Sequence, residues 1–146
     1  MTIEENKETF RRFVEEALGG GHIEVLPELV ADDFCDHAAM PGQESGCAGL
    51  MNKVRALRAA FPDLSTRLLM LVAEGDIVVG RVRISGAHSG SLMGIEPTNR
   101  SIDVTEFHAW RFERGKGVEH WEGGDKLRLL HQLGFELMPP RAPSSE

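Results

Sequence analysis

With 146 residues, a formal net charge of −7, and 27% charged against 41% hydrophobic residues, the chain has the make-up of one soluble globular domain that buries a core without disulfide or metal staples. The acidic balance excludes the basic footprint that nucleic acid demands and attraction to an anionic membrane surface, and no segment approaches the roughly 20 apolar residues of a membrane span. The opening MTIEENKETF is acidic where a secretory signal is basic and then apolar, so the sequence reads as cytoplasmic, and Cys35 and Cys47 are expected to be free thiols there.

Thr2-Ile3-Glu4-Glu5 has the spacing of a capping box, and Ile3, Phe10, Phe13, Val14, Ala17 and Leu18 recur at helical intervals until Gly19-Gly20-Gly21 stops them. A second, shorter helix is expected over His22 to Val30, with Pro27 leaving its start open, then a short strand over Phe34 to Ala38. The loop Met40 to Gly46 carries proline and glycine and has the character of a pocket lip. Leu50, Met51, Val54, Leu57 and Phe61 make a third amphipathic helix, ended by Pro62.

From Leu64 the apolar period changes from about 3.6 to 2, giving strands over Leu64–Glu74 and Ile77–His88 about the hairpin signal Glu74-Gly75-Asp76. Val78, Val82, Ile84 and His88 share one face of the second strand. Helices first and strands afterwards indicate an α+β fold, with the N-terminal helices on the concave side of a strongly curved antiparallel sheet. Val82, Ile84, Val104, Trp110, Phe10, Phe13 and Val54 are expected in its core.

Ser101 to Asp125 reads as two adjacent strands joined at Arg114-Gly115-Lys116-Gly117. One face of the first carries Ile102, Val104, Glu106, His108, Trp110 and Phe112, so two titratable groups stand in an apolar row, where they are costly unless paired or used. The other face, with Thr105, Phe107 and Ala109, has no helix to cover it, which predicts a homodimer. In the second strand Val118, His120 and Glu122 alternate with Trp121, and one residue of slip exchanges the two sets, so parity leaves the inward set open. Asp125 is placed to cap a short helix whose Leu127, Leu130 and Leu133 turn inward, with Gly134 at its end. One domain over 1–137 is expected, and the proline- and serine-bearing tail 138–146 reads as disordered.

The glycines form neither GxGxxG nor GxxxxGK[ST], and no GxSxG elbow is present. What remains for chemistry is Asp36, His37, His88, Glu106, His108, His120, Glu122 and Asp125, spread over strands. Several of these converging on one apolar cavity would suit acid/base work. His88, His108, His120 and Glu122 could also supply two histidines and a carboxylate to a metal, but no HxH or HExxH spacing supports that, and no metal is expected.

The His88-Ser89-Gly90 strand end, the loop Met93 to Arg100, Glu106-Phe107-His108, Gly115-Lys116, His120-Trp121-Glu122 with Asp125, and Leu129 to Gly134 together resemble the SnoaL-like polyketide cyclases of the nuclear-transport-factor-two-like superfamily. The resemblance implies a cone-shaped α+β barrel and a ring closure by intramolecular aldol condensation of a small, hydrophobic polycarbonyl substrate, without metal or cofactor. It turns Glu122 toward the cavity as general acid/base and matches His108 to a pocket histidine near it; the chemistry of the residues then has His108 or His88 donating to the developing oxyanion. Asp36 and Glu106 fall at polar substrate-contacting positions, and Trp110, His120 and Asp125 complete the expected contacts. The chain differs from the family's pattern in carrying glutamate where the base is usually aspartate, and acids at 36 and 106 where amides are usual. Three acids in one pocket repel, so at least one is expected to keep a proton near neutrality. The alternatives within the architecture are an isomerase or epoxide hydrolase on a steroid-like or terpene-like ligand, and a non-catalytic carrier of a small hydrophobic molecule.

Overall fold

Thr2 caps the first helix as its spacing predicts: its Oγ1 accepts from the Glu5 amide at 3.0 Å while the Glu5 carboxylate accepts from the Thr2 amide at 2.9 Å. The structure is a computed structural model and describes residues 2–144. Helix α1 (Ile3–Arg12) runs on into a π-helical segment, Phe13–Gly19, whose loosened carbonyls are taken up by side chains. Thr66 Oγ1 donates to Val14 O, and Arg58 Nη1 to Leu18 O and Gly19 O, each at 2.9 Å. The second helix is much shorter than its pattern suggests: a 3₁₀ turn (Ile23–Val25) and one α-turn, α2 (Leu26–Leu29), precede strand β1 (Val30–Asp36). Helix α3 (Gly46–Ala60), strands β2 (Ser65–Glu74), β3 (Ile77–Ala87), β4 (Ser101–Glu113) and β5 (Lys116–Gly124), and helix α4 (Lys126–Gln132) follow.

The five strands form one curved sheet in the order β1-β5-β4-β3-β2. Two antiparallel hairpins dominate it, each closed by a two-residue loop with positive φ where the strand twist requires it: Gly75 at 58° in one, Arg114 at 51° and Gly115 at 79° in the other. Two features depart from a closed antiparallel barrel. Strand β1 pairs with β5 in parallel, and the outer edges of β1 and β2 do not meet, so the cone stays open.

The seven expected core residues are all buried. At their centre Trp110, fully inaccessible, lies with its ring centroid 4.8 Å from Phe13, 5.5 Å from Phe34, 5.6 Å from Phe10 and 6.0 Å from Phe112. Gly117 makes room for it, since a Cβ there would come within 2.6 Å of the indole. The strand accommodates this approach by leaving Val118 unpaired between the pairs Phe112 with Gly117 and Arg111 with Glu119.

Helix α4 corrects one expectation. Asp125 Oδ1 does accept from the Arg128 amide at 2.9 Å and Gly134 closes the end at a φ of 98°. Leu133 is buried, but Leu127 and Leu130 face solvent; the helix is rotated so that Leu129 points inward instead. Residues 138–144 form no helix or strand, and 145–146 of the expected tail lie outside the described residues. Among the described residues no helix is long and apolar enough to cross a membrane.

Candidate functional site

Register assembles the site. His108 on β4 pairs directly with Glu122 on β5, Trp110 pairs with His120, and Asp36 on β1 pairs with His120 from the other side. Inward-pointing side chains of three neighbouring strands thereby become contiguous. His120 Nδ1 lies 2.8 Å from Asp36 Oδ1 and its Nε2 lies 2.9 Å from His108 Nδ1. His108 Nδ1 is in turn 3.6 Å from Glu122 Oε1, and its Nε2 is 3.7 Å from Glu106 Oε1.

The protons follow from this geometry. Burial raises the Asp36 carboxyl, but the His120 hydrogen bond and the charge of Lys53 outweigh it and hold the group well below the usual range. An ionised Asp36 only accepts, so His120 Nδ1 carries the hydrogen. Burial lowers the pKa of His120 despite that bond, so its Nε2 is bare and His108 Nδ1–H donates to it.

In front of this relay lies a cavity of about 240 Å³ whose wall is apolar except at Lys53, Glu106, Glu122 and Lys126. Leu18, Leu57, Phe61, Leu64, Ile84 and Val104 form its body, and Ala38 to Pro41 its lip together with Leu92 and Met93. Of the loop Met40 to Gly46 whose composition suggests a lip, Met40 and Pro41 line the cavity.

The predicted site residues divide. Glu106 and Glu122 reach the cavity wall; His108, His120 and Asp36 stand behind them as a buried relay. Three do not join. His88 has the expected inward face, yet it sits beyond the end of β3 against Phe61 and is bonded to Thr98. Since Gly80 is the partner of His108, His88 lies eight residues further along, roughly 25 Å of strand. It is therefore neither the proton donor nor a neighbour of Glu122 that the sequence suggested. Trp110 is a core residue behind His120 and does not reach the cavity. Asp125 is spent on capping α4 and is exposed. His37, also in the candidate set, faces outward, pairing with Glu119 at 2.7 Å and stacking on Trp121.

Two residues were missed, both lysines. Lys53 of α3 donates to Ala38 O at 2.8 Å and to Asp36 Oδ2 at 3.2 Å. Lys126 of α4 donates to Glu106 Oε2 at 2.7 Å and lies 2.9 Å from Glu122 Oε2. A signal for Lys53 was present: it falls with Leu50, Val54 and Leu57 on the apolar stripe of α3. Lys126 stands across a strand-to-helix corner, where neither period applies.

His108, His120 and Glu122 each place a possible ligand atom within 4.8 Å of the others. The space between the two imidazoles is bridged by their own hydrogen bond, however, and the Lys126 ammonium already neutralises Glu122. These contacts favour a hydrogen-bonded chain of side chains over a divalent cation.

Residues 8–133 match the model of the SnoaL-like polyketide cyclases. The chain belongs to this family. It is 27% identical over 120 residues to nogalonic acid methyl ester cyclase of Streptomyces nogalater, covering 81% of this chain and 90% of that protein. TsrD of Streptomyces laurentii has a similar structure, with a TM-score of 0.84 at 28% identity over 92% of this chain and 98% of TsrD. IdmH of Streptomyces antibioticus gives 0.75 at 30% identity over 89% of this chain and 99% of IdmH.

In this SnoaL-like chain each acid at a usually neutral position has a lysine beside it: Lys53 for Asp36 and Lys126 for Glu106. The repulsion expected of three acids is relieved in this way rather than by a proton on Asp36 or Glu106. Burial pushes the Glu106 carboxyl up, but His108 and Lys126 prevail and hold it at about 2, against an ordinary 4.5. A carboxyl depressed by folding contributes stability above its unfolded pKa and loses it as pH falls through the folded one. Stability should therefore fall between pH 5 and pH 2, by an amount on the order of a few kcal/mol, as Glu106 and the groups it interacts with take up protons. Urea midpoints against pH should show a steeper acid limb for the wild type than for Glu106→Gln; parallel limbs would contradict the assignment.

Proposed function

We propose that this protein is a cofactor-free cyclase that closes a ring by intramolecular aldol condensation of a small, largely apolar polycarbonyl substrate. The observation that carries the reading is the Glu122 carboxylate, set on the wall of an apolar cavity with the His108–His120–Asp36 relay directly behind it. Glu122 takes a proton from a carbon flanked by two carbonyls. The resulting enolate carbon attacks a ketone of the same molecule, and the alkoxide formed recovers the proton from Glu122. His108 is not on the cavity wall, so its part is to support Glu122 electrostatically from 3.6 Å rather than to touch substrate. The apolar walls hold a flexible chain in a ring-closing conformation, the other large contribution to rate.

Hydrogen exchange tests the chemistry without knowledge of the natural substrate. In D₂O the protein should speed the loss of the acidic carbon-bound hydrogen of a small β-keto ester, followed by NMR. Binding of such esters with no acceleration would identify a carrier and defeat the enzyme reading.

The functional unit on this reading is a homodimer. Across the outer sheet face the register aligns Val72, Val79, Ala109 and Trp121 in one row and Met70, Arg81 and Phe107 in the next. Phe107 is 48% exposed and Trp121 39%. The ion pairs Arg83–Asp103 and Arg111–Glu119 lie on the same face and supply both signs of charge, which suits contact with a second copy. Sedimentation equilibrium at micromolar concentration should return the dimer mass, and Phe107→Glu the monomer mass; a monomeric wild type would remove the proposal.

A further inference from the structure

Lys126 occupies a position that helix formation does not favour. It is the first residue of α4, where the positive end of the helix opposes a cation, and it is held there by two buried carboxylates, Glu106 at 2.7 Å and Glu122 at 2.9 Å. Its own side chain is more than half exposed and borders the cavity, whereas both glutamates are about nine-tenths buried. An ammonium has three hydrogens. Glu106 and Glu122 engage two of them, which leaves a third without a protein partner among the described residues, on a side chain that lines the cavity.

Among the described residues the cavity wall offers two side-chain donors, Lys53 and Lys126. Lys53 is engaged by Asp36 and by Ala38 O, and only Lys126 touches the base. Burial works against the Lys126 charge, but Glu106 and Glu122 raise its pKa, so the ammonium is present throughout the physiological range. A carboxylate and an ammonium side by side in an apolar wall form the pair that a carbon acid requires, one for the proton and one for the oxygen that receives the electrons.

We propose that Lys126 is a further catalytic residue, whose ammonium binds the substrate carbonyl oxygen next to the carbon that Glu122 deprotonates and holds the negative charge that oxygen acquires. The step rests on the cyclase reading above. The C–H bond breaks and its proton goes to a Glu122 oxygen; the electron pair forms the C=C bond of the enolate, and the carbonyl π pair moves to the oxygen facing Lys126. When the enolate carbon bonds to the ketone carbon, the charge passes to the ketone oxygen, which takes the proton back from Glu122. Lys126 keeps all its protons. A purely structural lysine would neutralise Glu106 and Glu122 equally well but would not stabilise an anion in the cavity.

The test uses para-nitrophenol, a small phenol whose anion mimics an enolate and is distinguished from the neutral form by its absorbance. It is bound to the Glu122→Gln protein, in which the amide stands for the protonated base that accompanies the enolate. The bound phenol should ionise about one pH unit or more below the free one, a preference of about tenfold for the anion. Glu122→Gln with Lys126→Met should abolish the shift, and Glu122→Gln with Lys126→Arg should keep most of it. In the otherwise wild-type chain, Lys126→Met should slow β-keto ester exchange by about 10²-fold or more. An equal shift with methionine, arginine or lysine at 126, or no binding of the anion by Glu122→Gln, would overturn the proposal. A shift that depends on Lys126 in a wild type that speeds no exchange would instead defeat the cyclase reading, leaving Lys126 as an anion-holding residue.

Discussion

Glu122→Gln should slow β-keto ester exchange by about 10²-fold or more while leaving the protein folded. The amide keeps the size of the side chain and can still accept from Lys126, but it cannot take a proton. What it loses in the folded state is one charge pair with Lys126, whose partner Glu106 remains, so unfolding transitions should move far less than rates. Glu122→Asp is the informative companion. It restores the family's usual base with one methylene less reach, and partial activity would show that the cavity has adjusted to the longer side chain. Exchange by the Gln variant at the wild-type rate would remove Glu122 from the chemistry.

Trp110→Ala should cost about 3–5 kcal/mol, the range for truncating a large buried aromatic, against a total stability of about 5–15 kcal/mol for an ordinary domain. The indole is fully inaccessible and touches rings from α1, the π-helical segment, β1 and β4, so its loss opens a cavity that no single neighbour can fill. It also backs His120 at 6.3 Å, so the relay should loosen in any molecules that remain folded. Trp110→Phe should recover most of the stability, aided because the indole Nε1 is buried without a partner and its removal costs no hydrogen bond. Urea denaturation of the three proteins would show this, and a loss below about 1 kcal/mol for the alanine variant would mean that the cluster is not the centre of the core.

The hairpin of β4 and β5 was legible almost residue by residue. A strict period of two from Ile102 to Phe112 leaves no other inward set, and Arg114-Gly115 permits few other turns. The register of β5 was not legible, because the glycine that admits Trp110 shifts the pairing at Val118 and parity cannot count an unpaired residue. His88 shows a different limit. Alternation assigns a face but not the register against the neighbouring strand, and once Gly80 is paired with His108 the residue is inward and remote at once. The parallel pairing of β1 depends on contacts across most of the chain, and the outward turn of Leu127 and Leu130 on a seven-residue helix too short for its period to decide. The lysines escaped notice because a cation is assigned to solvent by default, even where, as for Lys53, it stands on the apolar stripe of a helix.

The parallel pairing of β1 with β5 also sets an order of assembly. Glu106, His108 and Glu122 belong to one hairpin with a two-residue loop, and such hairpins form in about 1–10 μs. Asp36 reaches His120 across 84 residues of sequence, and bringing chain ends together over that span costs about 4 kcal/mol in closure entropy before any contact repays it. Glu122 and His108 should therefore be brought together locally and early, while the Asp36 carboxylate that orders the protons of His120 arrives with the closing edge of the sheet. A chain in which β1 has not yet docked carries Glu106, His108 and Glu122 together without the proton order that Asp36 imposes on His120.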